Sequence, residues 1–156
     1  AELAVVLSKG GKNISEADAL DHVAGYSVFN DASLRDYQMR TPQWTAGKNF
    51  DDTGAFGPWL VTPDEVPAGA SGLKIECRVN GNVMQSSNTG NLIFTVANTI
   101  HLLSTFMTLE PGDVLVMGTP GGVGVARDPQ VWMKAGDICE VEIEGIGLLS
   151  NRVVAE

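Results

Sequence analysis

Apolar and polar residues alternate along Leu73 to Asn80. Leu73, Ile75, Cys77 and Val79 fall on one side, and Lys74, Glu76, Arg78 and Asn80 on the other. A period of two predicts a strand with one buried face. Asn80-Gly81 then predicts a hairpin turn, with Asn82 to Gln85 returning as the partner strand. Cys139, Val141 and Ile143 alternate with Glu140, Glu142 and Glu144 in the same way, after the turn Lys134-Ala135-Gly136-Asp137. Shorter apolar runs predict three more strands: Ala4 to Ser8, Gly25 to Asn30 and Val114 to Met117.

The helical period is confined to two places. Ile93, Val96, Ile100, Leu103 and Met107 share one face, which predicts the main helix over Asn91 to Thr108. Ser15, with Glu16 and Asp18 in the first turn behind it, predicts a short helix running to about Val23. Between Arg35 and Phe56 there is no clear period, only polar residues, Gly, Pro and Trp. A stretch so long and irregular inside a compact domain points to function. The sum is one strand-rich α+β domain over residues 1–156, with few helices.

Charge narrows the function. The net charge of −9 argues against a broad nucleic-acid or anionic-membrane surface, and no apolar run approaches a membrane span. An anionic ligand would need a local counter-charge, for which a divalent cation is suited. Cys77 and Cys139 lack metal-ligand spacing and lie in apolar strands, so they read as buried free thiols of a cytoplasmic protein. The chain opens Ala1-Glu2-Leu3, already inside a strand pattern and without Met, from which a missing upstream portion is expected.

Candidate chemistry gathers at strand ends. Asp31 follows a buried strand, where a carboxylate could hold a hard cation or cap the turn at Ser33 or Leu34; locally the cap is favoured. Lys48, between Gly47 and Asn49, reads locally as a solvated surface residue. Gly118-Thr119-Pro120-Gly121-Gly122-Val123-Gly124 follows an apolar strand, and its glycines let backbone approach a ligand. His101 lies within the main helix as a structural residue, and no Gly-x-Ser-x-Gly nucleophile elbow occurs.

One family has these pieces in this order: Asp31-Ala32-Ser33-Leu34-Arg35-Asp36-Tyr37-Gln38, Gly47-Lys48-Asn49-Phe50-Asp51, Gly57-Pro58, Val79-Asn80-Gly81, Gln85, Glu110-Pro111-Gly112-Asp113 and Gly118-Thr119-Pro120. The chain resembles the catalytic domain of the fumarylacetoacetate hydrolase family from Glu2 to about Val154. The resemblance implies that family's mixed, strand-rich fold, a homodimer, and a cytoplasmic role in breaking down aromatic compounds or sugar acids. It implies Glu2 and Asp31 as ligands of Mg²⁺, Mn²⁺ or Ca²⁺, and Lys48 as the catalytic lysine. Arg35, Gln38, Gln85 and Thr119 match or lie near substrate-contacting positions. The reaction it implies is hydrolytic C–C cleavage of an acylpyruvate-type 2,4-dioxo acid through an enolate that the metal stabilises. The alternatives are isomerisation or decarboxylation at the same site, or a truncated module that folds and dimerises without turnover. The family's Glu-x-Glu pair would start one residue before Ala1, and its His-x-x-Glu lid further upstream.

Overall fold

In a computed structural model, which describes residues 1–155, the chain forms two four-stranded antiparallel sheets packed face to face. The first sheet holds β1 (Glu2–Leu7), β2 (Val23–Asn30), β3 (Ala55–Val61) and β6 (Val114–Val116), in the order β3-β2-β1-β6. The second holds β4 (Lys74–Val79), β5 (Asn82–Asn88), β7 (Ile138–Ile143) and β8 (Gly147–Arg152), in the order β5-β4-β7-β8. The described residues also hold two α-helices, α1 (Arg35–Gln38) and α2 (Val96–Phe106), and five short 3-10 segments. None is long and apolar enough to cross a membrane.

The core lies between the sheets. Leu3, Val5 and Leu7 point inward from β1, and Tyr26 and Val28 from β2. Ile75 and Cys77 come from β4, Val141 and Ile143 from β7. Each fully buried Leu or Ile contributes roughly 1.5–3 kcal/mol relative to exposure. Ile100 of α2 seals one side. The expected thiols are there: Cys77 and Cys139 are both buried and free, with their sulfurs 3.9 Å apart.

Several predicted elements shift. The helix predicted from Ser15 to Val23 is instead a turn and a short 3-10 segment, Ala19–His22. Ser15 Oγ donates to Asp18 Oδ2 at 2.6 Å, and Asp18 N donates back to Ser15 Oγ at 3.2 Å. This side-chain closure competes with a helical nucleus, and β2 begins before a second turn could form. The main helix is shorter than Asn91 to Thr108. Its N-cap is Thr95, whose side chain accepts from Asn98 N at 3.1 Å. Thr89, buried and bonded to Ala70 O and Leu73 N, ties the preceding residues to a different path, so Ile93 leaves the helical face and is 93% exposed. β3 and β8 were not predicted; both are edge strands. His101 is structural, its Nδ1 2.7 Å from Ile14 O.

Candidate metal and substrate site

The site grows from the parity of β1. Leu3, Val5 and Leu7 face the core, so Glu2 faces the other way, opposite Phe29 of β2. In an antiparallel pair, the residue two beyond a partner lies diagonally on the same face. Asp31 is that residue.

Glu2 is only 5% exposed. Its Oε2 accepts from Gly118 N at 2.5 Å, tying β1 to the start of the glycine-rich loop. Burial pushes its carboxyl pKa above the ordinary value; the Gly118 N–H opposes this, and the negative charge of Asp31 adds to it. Two carboxylates thus share one poorly hydrated corner.

Lys48 answers that charge. Its Nζ donates to the Asp31 carboxylate, and to the Asp31 carbonyl at 3.4 Å. Both side chains are about three-quarters withdrawn from solvent, at 25% and 24% exposure. The local readings of both residues are therefore overturned. Asp31 caps no helix: α1 has Leu34 at its N-cap with no side-chain bond. Lys48 is not a solvated surface residue.

The turn carrying Lys48 packs on α1. Leu34 N donates to Gly47 O at 3.0 Å, and a Cβ on Gly47 would lie 2.6 Å from Gln38 atoms, so no larger residue fits there. Gln38 is 2% exposed and its Oε1 accepts from Arg35 Nη1 at 2.5 Å. Arg35 and Gln38 thus form one pair, on the helix against which the Lys48 turn rests.

Gln85 and Thr119 form a second pair on the other side of Glu2. Gln85 Nε2 donates to Thr119 Oγ1 at 2.8 Å and to Pro120 O at 2.7 Å. Thr119 Oγ1 donates to Ala1 O at 3.0 Å, and Ala1 N lies 2.9 Å from Gln85 Oε1. Both side chains are spent on protein groups, so in this arrangement they set the loop beside Glu2. A cavity of about 480 Å³ borders that loop, lined among others by Gly118, Thr119, Met117, Leu92 and Phe94. Sequence reasoning missed one neighbour of the loop, Arg127, whose side chain reaches Gly122 O and Met84 O. Nothing in the local sequence marks it.

The donors fit a hard divalent cation. Glu2 and Asp31 offer carboxylate oxygen alone, and the single positive charge of Lys48 leaves one negative charge over. Among the described residues no three His, Cys, Asp or Glu gather. A two-carboxylate set suits an ion such as Mg²⁺, which keeps water or substrate oxygens in its remaining positions.

The chain is 51% identical over 156 residues to oxaloacetate tautomerase fahd2, mitochondrial, of Xenopus laevis, covering 99% of this chain and 49% of that protein. It spans about half the length of the curated relatives it matches. Among solved structures, fumarylacetoacetate hydrolase from Exiguobacterium antarcticum superposes with a TM-score of 0.95 at 41% identity, over 99% of this chain and 55% of that one. Fumarylpyruvate hydrolase from Pseudomonas aeruginosa, in complex with Mn²⁺ and pyruvate, gives 0.88 at 36% identity, over 99% of this chain and 64% of that one. The family model for the fumarylacetoacetate (FAA) hydrolase C-terminal domain matches residues 1–154, and the chain belongs to that family.

Proposed function

We propose that this chain carries the divalent-metal site of an enzyme acting on a short 2-oxo acid, with enol–keto tautomerisation of an oxaloacetate-type diacid as its reaction. The observation that carries this reading is the Asp31–Lys48 pair beside buried Glu2. A divalent cation, when bound by Glu2 and Asp31, supplies Lewis-acid polarisation of the 2-oxo group. Lys48 Nζ holds positive charge at the edge of the carboxylate pair, where an enolate oxygen gains from it. Arg35, anchored at one nitrogen by Gln38, offers further N–H groups to a substrate carboxylate. Gln38 fixes Arg35, while Gln85 and Thr119 hold the loop that donates Gly118 N–H to Glu2. Tautomerisation asks for little beyond these parts and a proton carrier, and the 51% identity to a named oxaloacetate tautomerase supports it.

A second reading is hydrolytic C–C cleavage of an acylpyruvate-type 2,4-dioxo acid. It is supported by the likeness to the fumarylpyruvate hydrolase. It would form a related enolate as the leaving group, when water adds to the acyl carbonyl and the C–C bond breaks, and so needs in addition a positioned water and a general base.

Two further parts of the proposal concern setting. The chain forms a homodimer, through a first-sheet face on which Val114, Val116 and Phe56 are exposed. Cytoplasm was expected from the sequence, and the matched relative's name is mitochondrial; two free thiols 3.9 Å apart suit either reducing interior.

The test is Mn²⁺ binding followed by enol absorbance of oxaloacetate, with and without chelator, and with pyruvate assayed from an acylpyruvate in parallel. Asp31→Ala is expected to weaken Mn²⁺ binding at least about tenfold, since carboxylate count sets much of the affinity. Unchanged binding would sink the metal reading. Chelator-sensitive pyruvate release without enol–keto exchange would move the assignment to hydrolysis.

A further inference from the structure

The glycine-rich loop reaches the metal corner from one end only, through Gly118 N–H on Glu2 Oε2 at 2.5 Å. The near end is held on β1, by Met117 N to Leu3 O at 3.0 Å and Thr119 Oγ1 to Ala1 O at 3.0 Å, and the rest of the loop is fixed against β5 of the second sheet. Gln85 holds Thr119 and Pro120. Gly122 comes so close to β5 that a Cβ would sit 2.3 Å from Met84 O, at a φ of +105° that favours glycine. Arg127 closes the set. Its Nε donates to Gly122 O at 2.9 Å and its Nη2 donates to Met84 O, next in sequence to Gln85. One guanidinium therefore grips the loop and the strand together.

Two facts argue that this grip serves more than the local turn. The turn is already closed by its own backbone, with Ala126 N to Val123 O at 3.0 Å and Val131 N to Gly124 O at 3.0 Å. And in a chain of net charge −9, Arg127 takes no carboxylate partner among the described residues; it spends two N–H groups on neutral carbonyls. A planar fork reaches two carbonyls at fixed spacing; the point charge of a lysine does not.

We infer that Arg127 is a positioning residue for the metal site: it locks Gly118–Gly122 against β5 so that Gly118 N–H stays on Glu2. The inference rests on the reading of Glu2 and Asp31 as cation ligands. Loosening the loop leaves Glu2 free to turn away from its Asp31 partner, and cation affinity falls.

The experiment compares Arg127→Gln and Arg127→Lys with Arg78→Gln, which breaks an ion network on the outer face of the second sheet. Mn²⁺ affinity is read by loss of the free-ion electron paramagnetic resonance signal. Amide exchange over residues 117–124 is read by mass spectrometry. Arg127→Gln is expected to speed exchange in the loop while leaving β7 unchanged, and to weaken Mn²⁺ binding about tenfold, the lower end for outer partners of metal ligands. Arg127→Lys is expected to stay close to Arg127→Gln, and Arg78→Gln to leave Mn²⁺ affinity alone. Should Arg127→Gln fail to fold, Arg127→Lys carries both readouts. Unchanged loop exchange overturns the inference whatever the metal does. Faster exchange with unchanged Mn²⁺ affinity overturns it too, and if Asp31→Ala still weakens binding, the metal reading survives alone. If neither Asp31→Ala nor Arg127→Gln alters affinity, both fall together.

Discussion

Asp31 has two uses open to it, a backbone cap and a charge partner, and the fold chooses the second. The Gly47–Gln38 contact brings the Lys48 turn under the end of β2, and the ammonium takes the carboxylate there. A half-buried pair of this kind returns modest stability for its desolvation, so its value is electrostatic and local. Lys48→Gln is expected to lower kcat/KM for the 2-oxo acid by about a hundredfold, the scale of losing one oxyanion donor. Thermal denaturation should shift by only a few degrees, in proportion to a loss of about 1 kcal/mol. Equal losses of turnover and stability would return Lys48 to a structural role. At this scale the sequence was partly legible. Ordered motifs singled out Asp31 and Lys48, but local context alone misread both, because what joins them is a close approach at Gly47 that no window of sequence contains. Arg127 escaped for a related reason: its partners are two backbone carbonyls, one of them, Met84 O, distant in the chain, and carbonyls carry no residue type.

At the level of elements, the alternating strands were the easiest to read, because period two survives wherever one face is buried. β4 and β7 show it most clearly. Their outer faces pair Arg78 with Glu76 at 2.7 Å, Glu142 at 2.8 Å and Glu140 at 3.4 Å, and Lys74 with Glu76 at 2.7 Å. Bonds from Lys74 and Arg78 hold the Glu76 carboxyl below its ordinary pKa. A carboxyl depressed in the folded state adds stability above its unfolded pKa, and that stability is lost as pH falls through the folded value. Urea unfolding from neutral pH down past the carboxylate range should therefore show a steeper acid loss in the parent than in Arg78→Gln. Parallel curves would remove the network from the account. Of the four edge strands, β5 and β6 were predicted, whereas β3 and β8 were illegible for cause. β3 contains Gly57-Pro58, where its register with β2 shifts, and β8 begins at Gly147, packed against Pro58 and Trp59 so closely that a Cβ would lie 3.1 Å from Pro58. Proline and glycine are tolerated at sheet edges, where a missing donor faces solvent, but in sequence they look like the end of a strand.

For the whole molecule, strand richness and sparse helices follow from pattern, the division into two sheets comes from the structure, and family membership covers residues 1–154. Assembly is a matter of surface. Val114, Val116 and Phe56 stand on one face of the first sheet at 41–48% exposure, an apolar set for an acidic protein to leave in water. Light scattering behind size exclusion is expected to return twice the mass of the 156-residue chain, and Val116→Glu to return the single mass. A monomer at micromolar concentration would remove the dimer from the proposal.

β1 connects all three scales. Its six residues alternate between two audiences: Leu3, Val5 and Leu7 speak to the interior, and Glu2 speaks to the chemistry across the sheet. Substitution at either kind of position edits one message and leaves the other intact. A shift of the strand by a single place would trade them, sending a carboxylate into the interior and an aliphatic chain to the Asp31–Lys48 pair. β1 therefore behaves like a reading frame, tolerant of spelling changes and intolerant of insertions.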